Sequence, residues 1–304
     1  VAGVRPLPAS RGLNGTVRVA LGAAAVAELL RRHDVRPRRS LGQHFVVDPN
    51  TVMRIVRLAG VEPGERVLEI GAGCGALTVA LADAGAAVVA IEIDGRLVGA
   101  LGEVCADRSV EVLHTDATDI ASWAPRLEGD GRWKLVANLP YNVATPLLAD
   151  ILDGLPQITA MLVMVQEEVA QRLAAAPGHP AYGLPSLKVA CWARAEILGR
   201  VPPTVFWPRP SVSSALLGVN RLPEPAADNI DDLYRLARRA FNQRRKMLRA
   251  SLRDVVTPGA FAAAGVDPAA RPGDLAVEDW SRLAAAAGAL GRPAGDGRAP
   301  GIAT

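Results

Sequence analysis

The chain has 304 residues, half of them hydrophobic (50%) and 21% charged, enough to bury a full core with an extra small domain and too apolar for wholesale disorder. Its three cysteines, Cys74, Cys105 and Cys191, form no Cys-x-x-Cys pair and its four histidines lack the short spacings of metal ligands. This argues against a disulfide framework or a metal site and for a reducing cytoplasm, while the modest net charge of +3 hides a local excess of cations late in the chain.

In chain order, residues 1–15 are expected to be a flexible extension and residues 17–34 a helix. The run "VALGAAAVAELL" within that helix contains Glu28 and is followed by "RRHD", so it reads as neither a signal peptide nor a membrane span. The basic loop "RPRRSLGQHF" comes next. From Arg66, apolar strands alternate with stretches of helical length: "RVLEIG", "AVVAIEID", "VEVLHTD", "KLVANL" and "ITAMLVMVQ", separated by segments such as "ALTVALADAG" and "ATPLLADILDGL". Continuous apolar strands between helices predict a parallel sheet covered on both faces, an α/β fold. "AEILGRV" and "SALLGVNRL" would close the sheet as a hairpin-like pair. The Pro- and Ala-rich "RLPEPAADN" reads as a linker, placing an α/β domain over 16–222 and a small all-helical domain over 223–290, with a disordered tail at 291–304.

The loop "EIGAGCG" stands where the first of these strands gives way to a helix, the place where open parallel sheets bind ligands. Gly71, Gly73 and Gly75 are two residues apart, which is not the spacing of a dinucleotide pyrophosphate cradle and suits a smaller nucleoside ligand. Glycines here also occur for packing reasons alone. Glu92 ends the next strand, where an acid can accept from both ribose hydroxyls, and Asp116 ends the third, in place to accept from an adenine amino group. Signals on three successive strand ends describe a site for adenosine bearing a charged group, such as S-adenosylmethionine. Cys74, with no histidine nearby in sequence, reads as a filler rather than a nucleophile.

The fourth strand ends in "NLPY". An adenine amino nitrogen is a poor nucleophile because its lone pair is conjugated into the ring; acceptors on its two hydrogens would favour a pyramidal nitrogen. The Asn138 side-chain oxygen and the Leu139 carbonyl are suited to that task, with Pro140 holding the turn and Tyr141 stacking on a flipped or unpaired base. The bland counterpart is a strand-terminating turn with a half-buried tyrosine. Between Arg235 and Arg253 lie eight basic side chains and no acid. Read as one helix, "YRLARRAFNQRRKMLRASL" puts Ala237, Phe241, Leu248 and Leu252 on a common side and arginines over the rest, either a solvated face or a surface for phosphates.

These residues together resemble the KsgA family of small-subunit ribosomal RNA adenine dimethyltransferases. The likeness runs from about Leu21 to Ala287 and includes "LGQHF" with Asp48, "EIGAGCGALT", "IEID", "NLPYNVATPLL", "MVQEEVAQRL", "VPPTVFWPRPSV", "FNQRRKMLRASL" and "RPGDLAVEDWSRL". The resemblance implies a Rossmann-like class I methyltransferase sheet of seven strands followed by a helical domain that helps dock RNA. It implies that Gln43 and His44 touch the methionine end of S-adenosylmethionine, that Gly71 and Gly73 pass beneath it, and that Glu92 holds the ribose and Asp116 the cofactor adenine. Asn138 would bridge cofactor and target, Leu139 would lend its carbonyl, Tyr141 would stack, and Phe206 would sandwich the target from the other side unless it is a core ring. Arg38, Arg39, Arg244, Arg245, Lys246 and Arg249 would contact phosphates. The implied reaction places two methyls on each of two adjacent adenines in a hairpin near the 3′ end of 16S rRNA, within the small ribosomal subunit or its precursor, by a monomer. The family commonly has asparagine where His44 stands, and lysine and aspartate where Ser211 and Ser213 stand. A related large-subunit rRNA methyltransferase of the macrolide-resistance kind and a non-catalytic ribosome-assembly factor are the competing readings.

Overall fold

The computed structural model describes residues 21–38, 41–129 and 131–291. The expected extension at 1–15, Arg39 and the tail beyond Gly291 lie outside the described residues. Contacts divide the chain into two units: one runs up to Ala174 and resumes over Trp192–Pro223, the other comprises Ala175–Cys191 and the chain from Glu224 onward.

The first unit contains, in order, α1 (Ala23–Arg32), β1 (Phe45–Val46), α2 (Pro49–Ala59), β2 (Arg66–Ile70), α3 (Ala76–Asp83), β3 (Ala87–Glu92), α4 (Gly95–Cys105), β4 (Val110–His114), α5 (Ile120–Trp123), β5 (Trp133–Asn138), α6 (Ala144–Gly154), β6 (Ile158–Gln166), α7 (Glu167–Leu173), β7 (Ala193–Val201), β8 (Phe206–Trp207) and β9 (Ser214–Arg221). Seven strands form one sheet in the order β4-β3-β2-β5-β6-β9-β7. β2 to β6 are parallel, and β9 runs antiparallel between β6 and β7, which is the pair expected to close the sheet. The inner strands are buried along nearly their whole length, while β4 and β7 at the edges are half-buried or exposed over most of theirs; helices on both faces account for the unbroken Val, Ile and Leu runs.

Local chemistry sets the element ends. α2 starts where Asp48 accepts from the backbone N–H of Thr51 at 2.9 Å with Pro49 in the first turn, and it stops at Gly60 in the left-handed conformation. α4 starts at Asp94, which accepts from Arg96 N at 3.2 Å. β1 and β8 make a separate antiparallel ribbon with Phe45 opposite Trp207 and Val46 opposite Phe206. That ribbon fastens the "LGQHF" loop to the "VFWPRP" segment, reinforced by Val47 N donating to Val205 O at 2.8 Å.

The second unit contains α8 (Leu184–Trp192, through Cys191), α9 (Ile230–Phe241), α10 (Leu248–Ser251), α11 (Pro258–Ala264) and α12 (Val277–Gly291). Its core gathers Leu187, Leu233, Ala237, Leu248, Leu252, Phe261, Trp280 and Leu283. The Phe241 ring lies 6.2 Å from Tyr182 and 6.0 Å from Trp280, centre to centre, and the Tyr182 hydroxyl donates to Leu275 O at 3.0 Å. The boundary read from the linker put all of 16–222 in the first domain; residues 175–191 instead pack with the helices that follow. The basic segment is not one helix either. α9 ends at Phe241, Asn242–Lys246 form turns, and the chain re-enters a helix at Leu248 because Leu248 N and Arg249 N donate to Ala270 O and Pro268 O, fixing the chain by contacts about twenty residues away in sequence. Ala237, Leu248 and Leu252 are buried as expected, and Phe241 is half-buried.

Candidate active site

The carboxyl ends of β2, β3 and β5 open onto a cleft lined by Gln43, His44, Phe45, Glu69, Gly71, Gly73, Glu92, Asn138 and Pro140, with Leu41, Cys74, Ile93 and others, enclosing about 660 Å³ including the part open to solvent. Gly71 and Gly73 carry φ of +75° and +58°, where side chains are strained, and a Cβ would sit 3.3 Å from Pro140 Cδ at Gly71 and 3.0 Å from the Phe45 ring at Gly73. Glycine is therefore required both by conformation and by close approach.

Glu92 is buried, with Oε2 accepting from Gly73 N at 2.8 Å and Oε1 from Asp94 N at 2.9 Å. Burial pushes its carboxyl above the usual range, partly offset by these backbone donors. Each oxygen keeps a lone pair for a further donor. Glu69 is 2% exposed, and its Oε2 makes no hydrogen bond among the described residues. Burial, with the nearby Glu92 charge adding to it, raises its pKa to about 8; the Thr78 hydroxyl offsets only part of this, since it too lacks a well-formed hydrogen bond. Cys74 is buried and its thiol is pushed up to about 12 by burial and by Glu92, so it is no nucleophile at neutral pH.

Gln43 braces the cleft wall: its amide donates to Asp94 Oδ2 at 3.1 Å and its carbonyl accepts from Arg38 N at 2.8 Å, tying the "LGQHF" loop to the start of α4. His44 Nδ1 lies 2.7 Å from Pro208 O; a carbonyl only accepts, so Nδ1 carries the proton. The His44 ring stacks against Tyr141 with centres 5.7 Å apart and planes inclined by 26°. Asn138 donates its amide N–H to His44 O at 2.9 Å, which fixes the flip of the amide and leaves Oδ1 without a hydrogen-bond partner among the described residues. Leu139 is buried, its N–H bonded to Met164 O at 3.1 Å. The Tyr141 hydroxyl pairs with Ser214 Oγ at 2.7 Å, and burial raises its pKa.

The cleft thus brings together Gln43, His44, Gly71, Gly73, Glu92 and Asn138, with Leu139 and Tyr141 following directly in the same turn. Two expected residues are elsewhere. Asp116, two residues past β4, is exposed, does not line the cleft, and holds Thr118 through its backbone N–H (2.8 Å) and hydroxyl (2.7 Å). Phe206 is 3% exposed and packs in the core with Val46, Val52, Ile55 and Leu216. Glu69, Asp94 and Ser214 have roles that sequence reasoning did not assign; the Asp-Gly pair opening α4 was a legible capping signal.

A family model described as ribosomal RNA adenine dimethylase matches residues 35–287. The chain belongs to that family. Its relatives include the ribosomal RNA small subunit methyltransferase A of Kineococcus radiotolerans, 46% identical over 290 residues that cover 90% of this chain and 95% of that one. The protein of that name from Streptomyces avermitilis is 44% identical over 282 residues, 88% and 94% of the two chains. A dimethyladenosine transferase from Plasmodium falciparum has the same fold, with a TM-score of 0.68 at 23% identity over 79% of this chain and 96% of that one. The 23S rRNA methyltransferase ErmE follows with 0.62 at 26% identity, over 80% and 99%. As a member of the ribosomal RNA adenine dimethylases, the chain is an rRNA adenine methyltransferase with the α/β sheet expected of it. Among the described residues, no helix is long and apolar enough to cross a membrane.

Proposed function

We propose that this enzyme methylates the exocyclic amino groups of two adjacent adenines in a 3′-terminal hairpin of 16S rRNA, with S-adenosylmethionine as donor. The observation that carries the reading is the Asn138 amide, oriented by His44 O so that its oxygen, not its nitrogen, is available in the cleft that Asn138 lines. The residues present fit the donor. Glu92 has lone pairs for two ribose hydroxyls, Glu69 Oε2 is a buried acceptor suited to an ammonium group, and the glycine loop has no room for side chains. When bound, S-adenosylmethionine supplies a methyl on a cationic sulfur.

Catalysis by these residues is chiefly positioning. Asn138 Oδ1 and the Leu139 carbonyl accept from the two amino hydrogens of the target, which withdraws its lone pair from the ring and aims it along the line of attack. Pro140 fixes the turn, and Tyr141, anchored by Ser214, offers a stacking face. His44 covers one face of Tyr141, so the target base takes the face left open. No side chain need act as base, because the methylated ammonium nitrogen is acidic enough to lose its proton to water. Arg38, Arg244, Arg245, Lys246 and Arg249, exposed on their own units, are proposed to hold RNA phosphates. Among the described residues no carboxylate pairs with Arg245, Lys246 or Arg249, whereas Arg235 pairs with Asp232 and Arg239 with Asp254.

The test is transfer of radiolabelled methyl from S-adenosylmethionine to small ribosomal subunits lacking the modification, with the labelled nucleotides mapped and a Tyr141→Ala control. Dimethyladenine at adjacent positions of the small-subunit hairpin, lost in the control, is the expected result. Label confined to large-subunit RNA, or cofactor binding without transfer to either RNA, would overturn the reading.

A further inference from the structure

Two aromatic residues stand side by side in "VFWPRP", and the β1–β8 ribbon sorts them. Phe206, opposite Val46, is 3% exposed in the core, whereas Trp207, opposite Phe45, is 45% exposed. Directly opposite residues of an antiparallel pair project from the same face. Trp207 therefore stands on the face from which Phe45 reaches the glycine loop, close enough that a Cβ on Gly73 would meet its ring at 3.0 Å. The following residue ties this strand to the acceptor side: Pro208 O receives the His44 Nδ1 proton at 2.7 Å, and the His44 ring lies against Tyr141. A large ring is thus held in water on the strand paired with the cleft-lining Phe45, one residue from the contact that orders the catalytic turn. Arg209, also exposed, lies two residues further on.

An exposed aromatic platform with a nearby cation is how proteins hold unpaired nucleotides, since every base has a face to stack and every nucleotide a phosphate. The occupant is not a base inserted between His44 and Tyr141. Their centres are 5.7 Å apart, and two successive ring contacts need about 7 Å. We propose that Trp207 stacks on an unpaired nucleotide flanking the adenine being methylated, with Arg209 at its phosphate. Such a contact would hold the loop in register while one adenine leaves the site and its neighbour enters. The inference rests on the reading that the substrate is a single-stranded loop of small-subunit rRNA.

The experiment compares wild type, Trp207→Ala and Trp207→Phe in methyl transfer to small subunits lacking the modification. For Trp207→Ala we expect KM for the subunit to rise about 10-fold, with kcat and KM for S-adenosylmethionine within about 2-fold of wild type, and recovery of most of the loss in Trp207→Phe. In parallel, tryptophan fluorescence is titrated with a hairpin oligoribonucleotide carrying adjacent adenines in its loop; quenching should occur in wild type and be lost in Trp207→Ala. An unchanged KM in Trp207→Ala with active wild type would overturn the proposal. So would equal loss in both variants with lowered melting temperatures, which would mean that Trp207 only packs the ribbon. If wild type transfers no methyl to small subunits, the substrate reading fails; the fluorescence titration then decides the stacking proposal by whether the quench depends on Trp207.

Discussion

Glu69 is buried at the cleft with one unpartnered oxygen, and its pKa is raised from 4.5 to about 8. The folded protein therefore binds this proton more tightly than the unfolded chain does. Its contribution to stability is complete below pH 4.5 and is lost as pH rises through about 8, and burial moves Glu92 in the same direction. Melted without S-adenosylmethionine, Glu69→Gln is expected to match wild type near pH 5 and to melt roughly 3 °C or more higher at pH 8, because the amide has no charge to bury. Equal melting temperatures at both pH values would show that the carboxyl is already solvated. At the catalytic turn, Tyr141→Phe keeps the ring and loses only the Ser214 contact, whereas Tyr141→Ala removes the stacking face. We expect kcat/KM for RNA to fall less than about 10-fold in the first and on the order of 100-fold in the second, in steady-state methylation assays. Equal losses would make the hydroxyl, not the ring, the working part.

At the scale of elements, the expected residues that the cleft brings together are those whose position is set by neighbours along the chain. The glycine loop follows its strand directly, Glu92 ends the next strand, and "NLPY" is itself the turn. Phe206 and the basic segment depend instead on distant partners, whereas Asp116 is turned to its neighbour Thr118. Which of Phe206 and Trp207 faces inward is decided by pairing with Phe45 and Val46, and the break in the basic helix is decided by carbonyls at Pro268 and Ala270. That break matters for charge, because it turns the chain between Asn242 and Met247 outward and leaves Arg245 and Lys246 exposed, with Arg249 at the start of α10. A triple variant with Arg245, Lys246 and Arg249 changed to Ala should keep its melting temperature yet lose about 2 units of slope in a plot of log binding constant against log salt, roughly 0.7 per lost phosphate contact. Filter-binding of rRNA at a series of salt concentrations reads this directly; an unchanged slope would remove these residues from the RNA surface.

For the molecule as a whole, the linker "RLPEPAADN" is a change of composition and reads as a boundary, yet composition says nothing about an excursion such as 175–191 that leaves one unit and joins the other. Within the second unit that excursion supplies Tyr182, Leu187, Val189 and Cys191 as buried side chains, the Tyr182 hydroxyl to Leu275 O, and Gly178 N to Gly273 O at 2.8 Å. Burying each large apolar side chain is worth about 1.5–3 kcal/mol, so losing this group removes an amount comparable to the whole stability of a small domain, about 5–15 kcal/mol. A fragment of residues 224–291 cut at the apparent linker is therefore expected to show no cooperative melting by circular dichroism. The same fragment preceded by residues 175–191 on a flexible connection should regain a transition, and Tyr182→Ala within it should abolish that transition again. Cooperative melting of 224–291 by itself would mean that the four helices from α9 to α12 suffice and that 175–191 only covers a core already formed.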